Sequence, residues 1–257
     1  MADFWKKYIL SLTSGILTLL ALIFFNRITI WWLFLVVLLL WLGGLTGILF
    51  LRNNDKTNFK NSIQLLLVTA ISFLGLLLIL ETIWIKFLIG LILIGMIVFL
   101  IFHSPKKSEL SYLDKPVRRF IGMLWVMNLF CLVSIFYAIN LFFQNVPFWL
   151  LGFLLSLITA WVSVNIWKNY FAISYKSFLF WFILITLISW EISWVLHFLP
   201  FGYLVLGFLF VWVWYIINLL VRFHLTSQGI VWKKQVVFLI SNIILYCLVL
   251  FFFVRWI

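Results

Sequence analysis

The chain has 257 residues, of which 67% are hydrophobic and 9% charged, and it carries 16 Trp and 30 Phe. An ordinary soluble domain is roughly 25% charged, so this composition excludes a water-soluble globule. The formal net charge of +12 would point to nucleic acid in a soluble protein, but the cations lie in short clusters between apolar runs, a spacing that orients a bilayer segment, and no nucleic-acid partner is expected.

Nine apolar runs are long enough to cross about 30 Å of hydrocarbon at about 1.5 Å per residue. Lys6 and Lys7 precede the first, 9–25, as in a secretory signal. That run closes on the bulky residues Leu22 to Phe25 without a small-residue cleavage site, so an uncleaved first span is expected. Span 28–51 follows across the tight turn Asn26-Arg27, and after a basic loop come 61–81 and 83–102. The longest loop, His103 to Arg118, has 16 residues and leads into 119–143 and 147–167. Spans 177–197 and 200–221 form another hairpin, and 235–254 closes the chain.

The cations support this count independently. One side would hold Lys6, Lys7, Arg52, Lys56, Lys60, Lys106, Lys107, Lys115, Arg118, Arg119, Lys168, Lys176, Arg222, Lys233 and Lys234. The other would hold only Arg27, Lys86 and Arg255. By the positive-inside rule the N-terminus is cytoplasmic and the C-terminus outside; a missed or spurious span would scramble the bias. The expected fold is therefore an all-α polytopic transmembrane helical bundle.

A weak internal repeat divides it further. Glu81-x-x-Trp84, Phe87-Leu88 and Gly90 with Gly95 recur as Glu191-x-x-Trp194, Phe198-Leu199 and Gly202 with Gly207. This predicts two parallel four-helix halves, 1–118 and 119–221, related by an axis along the membrane normal, followed by a loop and ninth span, 222–257. Matches this short also arise by chance in so Leu- and Phe-rich a chain.

The seventh span carries the costliest residue, Glu191. At about 100° per residue, Thr186, Ser189, Ser193 and His197 form one stripe, with Glu191 about 140° away from it. Two polar faces that both avoid lipid imply a central helix. Asn61, Gln64, Ser72, Gly75 and Thr82 line the third span in the same way, with Glu81 nearly opposite. Glu191 and Glu81, with Ser193, Ser189 and His197 nearby, form a candidate intramembrane polar site able to carry a proton or bind a cation. The plainer alternatives are a structural hydrogen bond for Glu191 and a solvated Glu81 beside Lys86.

Nothing comparable points to catalysis. His103, His197 and His224 fall at different helix ends, no paired ligand spacing exists, and Cys131 and Cys247 lie within apolar runs. No Gly-x-Ser-x-Gly or phosphate-binding glycine loop is present. No catalytic residue, metal or cofactor is expected. Lys106, Lys107, Arg118, Arg119, Arg222, Lys233 and Lys234 are candidate contacts for anionic lipid head groups at the cytoplasmic face, each worth about 1 kcal/mol.

Packing is signalled by small residues: Ser11, Gly15 and Thr18 in the first span, Gly43 and Gly47 in the second, and Gly152, Ser156, Thr159, Ala160 and Ser163 in the sixth. Trp5, Trp31, Trp32, Trp84, Trp149, Trp167, Trp232 and Trp256 lie near span ends, as interfacial belts do.

The stretch His197-Phe-Leu-Pro-Phe-Gly202, with Arg222-Phe-His-Leu and Trp232-Lys-Lys, resembles a family of small Trp-rich polytopic proteins of bacteria with reduced genomes. The resemblance covers about the last third and implies a bacterial inner membrane, with no activity to carry over. The readings that follow are a non-enzymatic scaffold or accessory subunit with a membrane-protein partner, a small proton- or cation-coupled transporter or channel using Glu191 with Glu81, and a lipid-active enzyme.

Overall fold

In the computed structural model the described residues are 2–28, 30–52, 56–103, 115–143, 145–171, 175–225 and 232–253, and among them every regular element is a helix. In order these are α1 Ala2–Arg27, α2 Trp31–Arg52, α3 Lys56–Ile79, α4 Ile83–Phe102, α5 Lys115–Phe142, α6 Phe148–Lys168, α7 Tyr175–His197, α8 Tyr203–His224 and α9 Trp232–Phe253. Each coincides within a few residues with a predicted run, apart from longer starts at α1, α3 and α5.

Eight of these helices, α1 to α8, are long and apolar enough to cross a membrane, and the chain is an integral membrane protein. The apolar stretch described within α9, Val236–Phe251, is shorter; it rises about 24 Å, against about 30 Å of hydrocarbon.

The chain forms two compact units, Met1–Leu124 and Trp125–Ile257. In the first, α1 packs on α4 and α2, while α3 packs on α4 and, less closely, on α2. Small residues set these approaches. A Cβ on Gly44 would lie 2.7 Å from Leu17 Cδ2, and one on Gly15 2.8 Å from Val98 Cγ2. The expected pair Gly43 and Gly47 has nothing within 4 Å; it faces outward, and the intervening Gly44 makes the contact. Ser11, Gly15 and Thr18 are all buried, and the Trp41 indole N–H donates to Thr18 Oγ1 at 3.3 Å.

In the second unit the closest pair is α6 on α7, with α8 also against α7. Gly152, Ser156, Thr159, Ala160 and Ser163 are all buried on α6, so the small-residue face does line the packing surface. Indole N–H groups then cross-link it to α8: Trp214 donates to Ser163 Oγ at 2.9 Å and Trp167 to Asn218 Oδ1 at 2.8 Å. Trp167 is therefore not part of an interfacial belt; it is fully buried. By contrast Trp5, Trp31, Trp32, Trp84 and Trp149 are exposed, and Trp232 and Trp256 have side chains outside the described residues.

Asn218 Nδ2 has no partner among the described residues, so Trp167 supplies a bond the amide cannot easily replace. Trp167→Phe keeps the ring and removes the donor. It should cost about 1–2 kcal/mol and lower the thermal midpoint in detergent by about 3–6 °C; an unchanged midpoint would show that the bond contributes nothing.

Candidate functional site

The serine stripe of α7 and Glu191 have opposite fates. Thr186, Ser189 and Ser193 are buried. Thr186 Oγ1 donates to Phe182 O at 2.8 Å and Ser193 Oγ to Trp190 O at 2.7 Å, so these hydroxyls are satisfied on their own helix and are cheap to bury. A carboxylate has no such device. Glu191 is exposed and carries no hydrogen bond or ion pair among the described residues.

The inference of a helix enclosed on both faces is thus corrected. Glu191 shares an outward stripe with Ile183, Leu187 and Val195, all exposed and spaced four apart. It lies six positions before His197, so it sits about 9 Å inside that helix end.

Glu81 is also exposed, but it lies in the turn after α3, which ends at Ile79, together with Thr82. It makes no ion pair with Lys86 among the described residues. The two glutamates belong to separate units.

His197 is held in a cluster that sequence reasoning only half found. Its ring stacks on Phe148 at 3.9 Å between centroids and 12° between planes, and its Nδ1 lies 3.3 Å from Asn140 Nδ2. An amide nitrogen only donates, so Nδ1 is the acceptor in this arrangement. One turn below, the Tyr137 hydroxyl donates to Ser193 O at 3.2 Å. Gly152 makes room for this junction, since a Cβ there would lie 3.1 Å from Ser193 Oγ. Tyr137 and Asn140 were missed; their spacing of three on α5 was the available signal. The cluster knits α5, α6 and α7 together and presents no pair of groups set for acid–base exchange.

The candidate head-group contacts divide. Lys106 and Lys107 lie outside the described residues, as do the side chains of Lys233 and Lys234. Arg119 is exposed, whereas Arg118 is half-buried and engaged with other groups. Arg222 is held over the Tyr170 ring, 3.7 Å from its centroid, a cation–π contact that ties the end of α8 to the end of α6.

His103 stacks on Phe99 and His224 meets the edge of Trp181. Among the described residues no three His, Cys, Asp or Glu side chains could hold a metal ion. No family model, curated protein or solved structure matches the chain.

Proposed function

We propose that the chain is a non-enzymatic subunit, a scaffold or accessory component of a membrane complex, and that the Glu191 face of α7 is where another membrane protein docks. The observation that carries this reading is the exposure of Glu191 within an apolar helix. An ionised side chain at the centre of a lipid-facing helix costs about 2.5–3.5 kcal/mol on insertion scales, and Glu191 lies deep enough to bear part of that. A partner helix offering a hydrogen-bond donor or cation there removes the penalty.

A second feature favours the same reading. Gly43 and Gly47 leave a small-xxx-small notch open on the outer face of α2, the geometry that lets another transmembrane backbone approach closely. The asymmetric cations support nine crossings with a cytoplasmic N-terminus, α9 completing the set, in the inner membrane of a bacterium, its basic face resting on anionic lipid.

Purification in mild detergent should recover a stoichiometric second membrane protein, and Glu191→Leu should lose it. A clean monomer from native membranes, unchanged by the substitution, would refute the reading.

A further inference from the structure

Glu191 stands on an unbroken ridge of α7. Leu179, Ile183, Leu187 and Val195 share its i, i+4 row and are all exposed, so the row runs about 24 Å along the helix, most of the way across the hydrocarbon. Rows of this kind are what a second helix packs against. This one presents a single charge.

No described group of the second unit answers that charge. Gly152, early in α6, meets Ser193, late in α7, so these two helices run antiparallel, while the bonds from Trp214 to Ser163 and from Trp167 to Asn218 set α8 parallel to α6. Lys168 closes α6 and Arg222 lies in the last turn of α8. Both cations therefore sit beside the start of α7, at the far end from Glu191. His197 is engaged with Asn140 and Phe148. Neutral donors are not used either: the adjoining Trp190 indole N–H is buried without a partner among the described residues. Its ring is turned toward α6, where a Cβ on Gly152 would lie 3.5 Å from Trp190 Cδ1. The indoles of Trp41, Trp167 and Trp212 donate to Thr18, Asn218 and Asn242, all neutral acceptors.

The chemistry of the carboxylate narrows what can cover it. A neutral donor from outside satisfies a lone pair but leaves the charge uncompensated, whereas Lys or Arg supplies donor and opposite charge together, in a bond about twice as strong. A second copy is a poor occupant: copies inserted the same way round meet across a two-fold axis along the membrane normal, which sets Glu191 against Glu191 at one depth. We propose that the α7 ridge is covered by a transmembrane helix of a different protein that bears one Lys or Arg at the depth of Glu191. This rests on the docking reading of that face and narrows it to a cationic partner.

The test places the full chain in zwitterionic phosphatidylcholine vesicles with single-span leucine–alanine helices that carry Lys, Gln, Glu or Leu at that depth, and reads association by energy transfer. The chain's net charge of +12 repels a cationic helix in general, so a preference for one isolates Glu191. The Lys helix should associate at least about tenfold more tightly than the Leu helix, with Gln between them and Glu no better than Leu. Glu191→Lys should reverse the order in favour of the Glu helix, and Glu191→Gln, the milder change, should abolish the preference for Lys. Equal association of the Lys helix with the Gln or Leu helix would overturn the cationic partner. If a native partner lost on Glu191→Leu were still recovered, the docking face itself would stand; with no native partner, both would fall. A dimer of the chain alone that Glu191→Leu dissociates would also overturn the proposal, because a second copy would then be the occupant.

Discussion

Gly207→Leu should be the most damaging single substitution in the second unit. Any Cβ at Gly207 would overlap Ser134 Oγ and lie 3.3 Å from Ser134 Cα. The near neighbour is partly backbone, so α5 and α8 have to separate instead of a side chain turning aside. Both residues are fully packed, and Ser134 Oγ already lacks a hydrogen-bond partner among the described residues. Overpacking of this kind costs about 3 kcal/mol or more, or a thermal midpoint lower by about 10 °C in detergent. Gly95→Ala supplies the contrast: nothing lies within 4 Å of a Cβ there, and a helical Gly→Ala change in open space gains up to about 1 kcal/mol. Equal midpoints for the two variants would show that the contact between α5 and α8 is looser than described.

Glu191→Leu should separate folding from assembly. In the isolated chain the substitution removes a charge from an exposed apolar stripe, so stability should hold or rise. In the proposed complex it would remove one member of a polar pair from the interface, where truncating a buried charged partner costs about 2–5 kcal/mol, or about 30- to several-thousand-fold in affinity. Loss of assembly with an undiminished thermal midpoint is the expected pattern. A fall in both would place Glu191 in the folding of its own chain. Glu191→Gln tests the transporter alternative: abolition of pH-dependent flux in proteoliposomes with assembly retained would favour that reading.

The helices were legible because a bilayer imposes one requirement, about 20 consecutive apolar residues, which each of the eight long spans meets whatever its neighbours. The buried face of α6 was legible for a related reason: Gly152, Ser156 and Thr159 pack well only where another helix comes close. Orientation within uniformly apolar helices was not. In α2 three glycines fall within five residues, and only Leu17, on another helix, determines that Gly44 is the inward one. Trp167 failed similarly. A Trp near a helix end suits an interface or a buried acceptor equally well, and its acceptor, Asn218, is 51 residues away.

At α7 the sequence pattern identified both polar stripes but not their unequal needs. Ser193 and Thr186 return their hydroxyls to their own backbone and can face the core, while Glu191 requires a donor that no described helix provides. An amide within an apolar span, as at Asn128 or Asn218, was the unused signal, because each must find a partner inside the protein. Both are buried.

Photo-cross-linking in native membranes tests the docking face of α7 most directly, with a photoreactive residue placed at Leu187 or Val195 on either side of Glu191. A single discrete adduct with another membrane protein should form at both positions and vanish in the Glu191→Leu background, while the same probe at Leu78, exposed on α3, should give none. Labelling of lipid alone at Leu187 and Val195 would contradict it.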